Sequence, residues 1–241
     1  MPTKPDYGID APGVIRNLFL ASIAGIAFAL FAPRVLRIGP VEPGLHGMGW
    51  GIAIACGAGG LLMLIYGKFG KFRHRERMLK LHNWRGDEQV LDVGTGRGLL
   101  LVGAARHLTT GHATGIDIWN KEDLSGNSLE RTEQILAAEG VTDKCSVVSE
   151  GAQNMPFANE SFDVILSNLC LHNIYDKPTR LKACREIVRV LKPGGVAIIS
   201  DYKLTGEYAA TMRNAGLRVE RKLPNLLTTY PPLRILLAHK P

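Results

Sequence analysis

Cysteine is scarce in this chain, and the spacing of the few cysteines excludes several kinds of site. There are four in 241 residues, and no two of them form the C-x-x-C spacing of zinc sites and dithiol redox sites. No group of histidine, cysteine and acidic residues has the spacing of metal ligands either. We therefore predict no metal and expect reduced thiols, which are typical of a cytosolic catalytic domain. The cysteines are Cys56, Cys145, Cys170 and Cys184.

Excess positive charge is missing from most of the chain, although the formal net charge is +7. Residues 67–85 hold seven lysines and arginines against one acid, Glu76, and the rest of the sequence is nearly neutral. A protein that binds nucleic acid needs a broad basic surface for the phosphates, so we predict no nucleic-acid partner. The seven basic residues are Lys68, Lys71, Arg73, Arg75, Arg77, Lys80 and Arg85.

Charged residues are also missing from two long apolar runs near the N-terminus. The first covers residues 14–32 and has no charge after Arg16; the second covers residues 48–66 and has none. Each is close to the roughly 20 residues that an α-helix needs to cross a bilayer. The second run is rich in glycine and alanine, which suits close helix packing in a membrane. We predict a membrane hairpin over residues 1–66; the alternative is an amphipathic or buried hairpin on a soluble domain.

The distribution of lysine and arginine predicts the orientation of this hairpin. The basic stretch 67–85 is expected to stay in the cytoplasm as a juxtamembrane linker. The connector between the runs carries only Arg34 and Arg37 and would face outward, which leaves both termini in the cytoplasm. Asp6 and Asp10 precede the first run and disfavour a cleaved signal peptide. The linker either binds anionic lipid headgroups or is a solvated helix face that only fixes the topology.

A glycine-rich turn follows the first predicted strand of the remaining chain. Residues 90–98 read Val-Leu-Asp-Val-Gly-Thr-Gly-Arg-Gly, and helix-forming residues follow at once. Glycine lets the backbone turn tightly and approach a ligand, and the start of a helix offers free N–H groups. Asp117 ends the next apolar run, 19 residues after Gly98, where a carboxylate can accept two hydrogen bonds from a ribose diol. This pattern predicts a nucleoside-binding βαβ unit.

The spacing of the glycines separates two kinds of nucleoside cofactor. A dinucleotide-binding turn reads G-x-G-x-x-G, whereas Gly94, Gly96 and Gly98 form G-x-G-x-G. Asp92, two positions before Gly94, would repel a pyrophosphate and suits an ammonium group. S-adenosylmethionine carries an ammonium and a sulfonium and no phosphate, so it is the predicted cofactor. At these residues the chain resembles the class I S-adenosylmethionine-dependent methyltransferases, within the broad group that includes the ubiquinone and menaquinone C-methyltransferases.

Three further motifs carry this resemblance, which covers roughly residues 80–241. Residues 150–157 resemble the segment that packs on the adenine, residues 161–168 resemble the fourth strand, and residues 191–195 resemble the turn before the fifth. The alternation of strand and helix predicts an α/β, Rossmann-like seven-stranded sheet over residues 86–241 that ends in an antiparallel hairpin. The predicted strands are residues 89–93, 112–117, 145–149, 163–167, 196–201, 217–221 and 233–239, and the predicted helices are residues 98–107, 127–139, 179–191 and 207–215.

The resemblance implies a role for residues at the carboxyl ends of these strands, where ligands of such sheets bind. The implied cofactor-binding residues are Asp92, Gly94, Thr95, Gly96 and Gly98 for the methionine part, Asp117 for the ribose, Ile118 or Trp119 for one adenine face, Gly151, Ala152 and Gln153 for the adenine edge, and Asn168 and Leu169 for the sulfonium end. The family often has aspartate where this chain has Gly151. Glu150, Gln153 or backbone amides would therefore bind the adenine amino group.

Methyl transfer requires alignment of the acceptor with the methyl group, and a base only if the acceptor is protonated. The candidate catalytic residues are His172, Asp201 and Tyr202. The first two also have structural interpretations, as a histidine that holds its loop and as a solvated residue at a strand end. Trp84, near His82, either covers the cofactor cleft or only packs.

No motif names the methyl acceptor. The hairpin favours a small amphiphilic molecule, such as a quinone, a lipid amine, a thiol or a phenol, reached from the lipid membrane. Two alternatives remain open at this stage. One is a methyltransferase of a small soluble amine, thiol or imidazole whose hairpin serves only for localisation, and the other is a cofactor-binding membrane scaffold without turnover. The sequence makes no prediction of the oligomeric state.

Overall fold

The computed structural model describes residues 5–33, 44–226 and 228–241. The predicted connector residues Arg34 and Arg37 lie outside these ranges. The helices are α1 (Pro12–Phe31), α2 (Leu45–Ile65), α3 (Lys71–Leu79), α4 (Leu99–Ala105), α5 (Leu129–Ala138), α6 (Lys177–Val190) and α7 (Thr205–Asn214). The strands are β1 (Gln89–Val93), β2 (His112–Asp117), β3 (Cys145–Ser149), β4 (Phe162–Asn168), β5 (Leu191–Asp201), β6 (Arg218–Arg221) and β7 (Arg234–His239).

The seven strands form one sheet in the order β3-β2-β1-β4-β5-β7-β6. The first five strands are parallel, and β7 lies antiparallel between β5 and β6. The predicted fold class and the C-terminal antiparallel hairpin are therefore confirmed. Parallel strands need helical crossovers, which cover both faces of the sheet, and this places every loop after β1, β2, β4 and β5 at one edge.

Successive residues of the central strands pack against opposite faces of the sheet. Leu91 and Val93 of β1 pack in a cluster with α6 and α7, whereas Val90 packs in a second cluster with α3 and α4. All three side chains are fully buried. Burial of one such side chain contributes about 1.5–3 kcal/mol to stability, so the two clusters fix the strand ends that carry the polar residues.

Strand β5 is longer than predicted, and its extension has a tertiary cause. We predicted that it begins at residue 196, after a Lys-Pro-Gly-Gly turn, but it begins at Leu191, which pairs with Phe162 of β4. The register shifts between Phe162 and Val164, so the ladder passes through the turn. Pairing with a distant strand overrides the local turn signal here.

Helices α1 and α2 pack side by side through small residues. A Cβ on Gly49 would lie 2.7 Å from the Cβ of Ala29, and a Cβ on Gly25 would lie 2.8 Å from the backbone nitrogen of Ala53. The Ser22 hydroxyl donates to the carbonyl of Ala53 at 2.7 Å. These pairs run in opposite directions along the two helices, so the helices are antiparallel.

The outer surface of this helix pair is apolar. Large side chains such as Leu20, Ile23, Phe31, Ile54 and Leu61 are exposed around both helices. By length and composition, α1 and the helix that begins at Leu45 could each cross a membrane. A core helix of a soluble protein would instead bury one face.

The basic linker is helical over much of its length, because the helix that begins at Leu45 runs without a break to Leu79 through a π-helical turn at Tyr66–Gly70. Lys68, Arg73 and Lys80 are exposed on it. Farther on, the Trp84 ring stacks on His107 with centroids 5.0 Å apart. Neither Trp84 nor His82 lines the cofactor pocket described below, so the structure favours the packing interpretation of Trp84.

The close contact at Gly49 gives a testable prediction for the hairpin. Gly49→Leu should force the two helices apart and lower the unfolding temperature of the protein in detergent, since overpacking of this kind costs about 1–3 kcal/mol. Gly51→Leu is the matched control, because nothing lies within 4 Å of a Cβ at Gly51. Equal unfolding temperatures for the two variants would contradict the packing seen at Gly49.

Candidate functional site

A pocket lies at the carboxyl ends of β1, β2 and β4, the edge where parallel α/β sheets bind ligands. Its lining includes Asp92 and the turn after β1, Asp117 after β2, the segment 150–153 after β3, and Asn168 at the end of β4. The structure thus brings together residues from four separate stretches of the sequence. In the part of the chain that the structure describes, no group of three or more histidine, cysteine or acidic side chains could hold a metal ion.

The glycine-rich turn lies on the floor of the pocket. Gly94, Gly96 and Gly98 have φ values of 71°, 54° and 78°, which favour glycine. A Cβ on Gly94 would overlap the Cys170 side chain. The N–H groups of Gly94 and Thr95 donate to the carbonyl of Ile116, which ties the turn to β2. Gly98 precedes the first residue of α4 and does not line the pocket.

Asp117 is held at the mouth of this turn by three hydrogen bonds. Its Oδ2 accepts from the Gly96 N–H at 2.8 Å, and its Oδ1 accepts from the Trp119 N–H at 2.6 Å and from Asn127 Nδ2 at 3.2 Å. Of the two candidates for an adenine face, Ile118 lines the pocket and is 69 % exposed. The Trp119 indole does not line it, and instead donates to Ser149 Oγ at 2.7 Å.

The adenine-edge candidates Gly151, Ala152 and Gln153 all line the pocket, as does Glu150. A Cβ on Gly151 would lie 2.5 Å from the Gln153 side-chain nitrogen. The Gln153 amide therefore occupies the space beside Gly151 that a larger side chain would take. This favours Gln153 over Glu150 as the replacement for the missing aspartate.

Asp92 lies under the turn rather than beside it. Its side chain is 1 % exposed, and Oδ2 accepts from Thr95 Oγ1 at 2.8 Å and from the Leu101 N–H at 3.0 Å. Burial raises the pKa of this carboxyl to about 7, against the effect of those hydrogen bonds. Two carboxylates, Asp92 and Asp117, line the pocket near the turn. Asp117 suits a ribose diol and would repel a pyrophosphate, and Asp92 in its ionised form suits an ammonium.

The raised pKa of Asp92 predicts a pH dependence of stability. The folded state keeps this proton up to about pH 7, whereas the unfolded chain loses it near 3.8. At Asp92 the folded state therefore binds more protons between these values, so the contribution of this group to the stability of the cofactor-free protein falls as the pH rises through this window and levels off above it. Burial lowers the pKa of His74 to about 4, which contributes the opposite slope, so the prediction concerns the difference between two proteins. Asp92→Asn should remove the Asp92 contribution, and its unfolding temperature relative to the unaltered chain should rise from pH 5 to pH 8. Asp143→Asn, at an exposed position, should keep that contribution, and an unchanged slope in Asp92→Asn would contradict the assignment.

The three catalytic candidates form a cluster behind the pocket and do not line it. Asp201 is fully buried and accepts from the N–H of His172 at 3.2 Å, the N–H of Tyr202 at 2.8 Å and the Tyr208 hydroxyl at 3.3 Å. His172 Nδ1 lies 2.8 Å from Asp201 Oδ1 but is not oriented for a hydrogen bond. The His172 and Tyr202 rings meet edge-on at 4.7 Å. This geometry favours a cluster that positions the loop after β4.

Sequence reasoning missed a segment that covers the pocket, which we call the strap (residues 5–11). Tyr7 and Asp10 of the strap line the pocket, and Asp10 forms a β-bridge with Leu124. Lys71 Nζ donates to the carbonyls of Tyr7 and Gly8 at 2.9 and 2.5 Å. Arg97 Nη1 donates to the Asp6 carbonyl and carboxylate at 2.8 and 2.9 Å. Asp6 and Asp10, which precede the first apolar run, were the sequence feature that could have indicated this segment.

The end of the pocket near Asn168 contains polar atoms that lack hydrogen-bond partners. Within the described residues, Asp10 Oδ2, the Tyr66 hydroxyl and Asn168 Oδ1 are buried without a hydrogen bond. Asp10 Oδ2 lies 3.9 Å from Lys71 Nζ, in an ion pair. The Tyr66 hydroxyl lies beside Asn168 and close enough to Asp10 to feel its charge. Leu169 and Cys170 complete this end, and burial raises the pKa of the Cys170 thiol, which therefore stays protonated. Buried polar atoms without partners are rare in proteins and indicate a place for a ligand.

Comparison with known proteins agrees with this geometry. Residues 91–199 match the model of a family described as a methyltransferase domain. A sarcosine/dimethylglycine N-methyltransferase of Aphanothece halophytica is 34 % identical over 122 residues, 51 % of this chain and 40 % of that protein. A ubiquinone/menaquinone biosynthesis C-methyltransferase of Geotalea daltonii is 35 % identical over 115 residues, 47 % of this chain and 45 % of that protein. A SAM-dependent methyltransferase from Aquifex aeolicus has a crystal structure similar to this one, with a TM-score of 0.54 and 21 % identity, covering 68 % of this chain and 88 % of that one.

These likenesses concern the sheet and its pocket. The family model begins at residue 91, after the N-terminal helices, and the chain spans less than half the length of the two enzymes named. The structural likeness, at 21 % identity, shows the fold alone. The glycine-rich turn, Asp117 and β4 all fall within the matched residues. Residues 91–199 therefore match a methyltransferase domain, and the sheet around them has the fold of an S-adenosylmethionine-dependent methyltransferase.

Proposed function

We propose that the whole chain is a membrane-anchored methyltransferase that moves a methyl group from S-adenosylmethionine to a small amphiphilic acceptor. The observation that carries this proposal is the position of Asp10 and Tyr66 relative to the apolar helices. Asp10 lines the pocket and lies two residues before α1, and Tyr66, whose hydroxyl lies beside Asn168, follows α2 directly. The acceptor end of the pocket therefore adjoins the start of α1 and the end of α2, where a membrane-dissolved molecule would arrive.

The loop between β6 and β7 supports the same placement. Arg77 Nη2 donates to the carbonyl of Leu223 at 3.1 Å, and a Cβ on Gly59 would lie 3.3 Å from the Tyr230 hydroxyl. The loop thus contacts the long helix near Arg77 and, through the Tyr230 side chain, reaches Gly59, which lies roughly 27 Å farther along the helix at 1.5 Å per residue. Leu223 and Leu226 of this loop are exposed, and they would enter the membrane interface beside α2.

The apolar surface of α1 and α2 supports membrane spanning, since exposed leucine, isoleucine and phenylalanine side chains surround both helices. The basic residues after Tyr66 then place the catalytic domain and both termini in the cytoplasm, where S-adenosylmethionine is available. An apolar surface of this size on a soluble monomer would promote aggregation.

When bound, S-adenosylmethionine supplies a methyl group that its sulfonium already activates. Asp117 would hold the ribose diol, the glycine-rich turn would allow close backbone approach, and Asn168 would lie beside the reacting centre. We assign Asp10 to the acceptor: its Oδ2 accepts the O–H or N–H proton that the acceptor gives up as its new bond to carbon forms. Burial raises the pKa of Asp10, which makes its carboxylate a stronger base. The strap excludes water from this end of the pocket.

A transfer assay in nanodiscs tests the proposal. The full chain would receive tritium-labelled S-adenosylmethionine with a quinol, phosphatidylethanolamine or sarcosine as acceptor, and we expect label in the organic phase. Asp10→Asn should lower kcat about 10²–10⁴-fold, the usual worth of a proton-transfer group, with little change in cofactor affinity. Asp143→Asn is the control. Transfer only to the soluble amine, or none to any acceptor while the cofactor binds, would contradict the proposal.

A further inference from the structure

A second cavity lies at the same edge of the sheet, between the loop after β5 and the loop between β6 and β7. Its lining includes three basic side chains, Lys203, Arg221 and Arg234, together with Thr205 and Pro232. We propose that this cavity binds a phosphate group. The methyltransferase assignment does not use any of these residues, so the inference stands apart from it.

The basic side chains converge because of the strand register. Arg221 of β6 lies opposite Leu236 of β7, two residues from Arg234. Residues two apart on a strand share a face, so Arg221 and Arg234 are diagonal neighbours on the side of the sheet that α7 covers. Lys203 follows the end of β5, and its Nζ lies 5.2 Å from the centroid of the Tyr202 ring.

No acid in the described ranges forms an ion pair with these three side chains. Neither Arg221 nor Arg234 forms an ion pair or a side-chain hydrogen bond within residues 5–33, 44–226 and 228–241, and Lys203 forms none either. Asp201 lies directly opposite Arg234 in the register of β5 and β7, but its oxygens accept hydrogen bonds from His172, Tyr202 and Tyr208 instead. Like charges placed side by side on a sheet are destabilising unless a counter-charge joins them, so the arrangement calls for an anion.

Two features of α7 point to the same ligand. Thr205 is 6 % exposed, lines the cavity, and makes no side-chain hydrogen bond within the described part of the chain. Thr205 is also the first residue of α7, whose N-terminus has no side-chain cap. The N–H groups of a first helical turn lack intrahelical partners and favour an anion. A buried hydroxyl, free N–H groups and three cations together match the oxygens of a phosphate.

The position of the cavity indicates which molecules could supply that phosphate. Pro224 and Pro232, at the two ends of the loop that follows the long helix toward Gly59, also line it. The cavity therefore lies at the base of this loop, and on the membrane placement proposed above, on which this one step rests, it faces the cytoplasmic lipid headgroups. A phosphodiester of an anionic lipid headgroup and a free phosphate share the required chemistry, and binding measurements can distinguish them.

Calorimetry on the full chain in phosphatidylcholine nanodiscs, without cofactor, tests this inference. The two titrants are glycerophosphoglycerol, which is the soluble headgroup of phosphatidylglycerol, and inorganic phosphate. We expect saturable binding that weakens with added salt. The double variant Arg221→Gln/Arg234→Gln should lose at least about tenfold in affinity, since each cation makes charge-assisted hydrogen bonds. The matched control is Arg185→Gln/Arg218→Gln, which removes the same charge from two exposed positions outside the cavity.

Each outcome has a defined meaning. Tighter binding of the headgroup supports the site with a lipid source, and tighter binding of inorganic phosphate supports it with a free phosphate. Binding of neither titrant, or an equal loss in the control variant, overturns the inference. Retained binding of S-adenosylmethionine by the Arg221→Gln/Arg234→Gln variant shows that it is folded, and keeps failure here separate from failure of the proposed function.

Discussion

Asp117→Asn is expected to weaken S-adenosylmethionine binding at least about 100-fold while the protein stays folded. The carboxylate lies at the end of β2, and its Oδ2 already accepts the N–H of Gly96 at 2.8 Å. Its Oδ1 accepts from Trp119 and Asn127, so of the roughly four lone pairs of the carboxylate one, on Oδ2, remains for a ribose hydroxyl. Asparagine keeps the shape but loses one of the two acceptor oxygens and the negative charge, so the charge-assisted hydrogen bond to the ribose is lost.

The measurement for Asp117→Asn is the dissociation constant of S-adenosylmethionine, determined by calorimetry. Asp143→Asn, which removes an exposed carboxylate, should bind the cofactor as the unaltered chain does. Thermal unfolding shows whether each variant is folded. Unchanged affinity in a folded Asp117→Asn protein would mean that the ribose lies elsewhere.

Gly94→Ala is expected to abolish cofactor binding and to lower the unfolding temperature. Gly94 has a φ of 71°, a left-handed conformation that costs an L-residue roughly 1–2 kcal/mol. A Cβ there would also overlap the Cβ and Sγ of Cys170. The turn and the loop after β4 cannot both keep their positions, and both line the pocket.

Two further variants separate the causes in Gly94→Ala. Gly206→Ala is the control, because its Cβ would meet nothing within 4 Å and its φ is not positive; it should not lower the unfolding temperature. Cys170→Ala combined with Gly94→Ala removes the sulfur that the new Cβ meets and keeps the Cys170 Cβ. This double variant should recover part of the lost stability, and a lack of any recovery would show that the sulfur contributes nothing to the strain.

The sheet and its glycine-rich turn could be predicted because their signals are local. Residues 90–98 combine a buried apolar run with three glycines that need positive φ, and both features are visible in consecutive residues. The antiparallel end of the sheet followed from the missing helix between β6 and β7. The observed helices begin and end a few residues away from the predicted bounds, because capping side chains decide where a helix starts. Helix α6, predicted from residue 179, begins at Lys177, since Asp176 Oδ2 accepts the Thr179 N–H at 2.9 Å.

The strap could not be predicted, because every contact that holds it joins distant parts of the chain. Lys71 binds the carbonyl of Gly8 across 63 residues, and Arg97 binds Asp6 across 91. Asp6 and Asp10 carried no local pattern beyond their charge. For residues 67–79 the sequence left a solvated helix face as one of two interpretations, because charge ends the apolar run there although lysine, arginine and glutamate are good helix formers.

In the candidate site, too, some residues could be predicted from the sequence and others could not. The structure places most of the implied cofactor residues around one pocket, since they follow consecutive parallel strands. The candidate catalytic residues His172, Asp201 and Tyr202 also follow strand ends, but side-chain direction separates them from the pocket. Asp201 points into the protein, where the Tyr208 hydroxyl and two backbone N–H groups surround it. A pattern of strand ends gives the edge of the sheet but not the direction of each side chain.

The most direct test of the account is calorimetric titration of the unaltered full chain with S-adenosylmethionine, S-adenosylhomocysteine and NAD. Both sulfur nucleosides should bind at one saturable site and compete with each other, and the dinucleotide should give no binding heat. Binding of NAD, or of neither sulfur nucleoside by a folded protein, would contradict the claim that the pocket at the ends of β1, β2 and β4 holds a methyl donor.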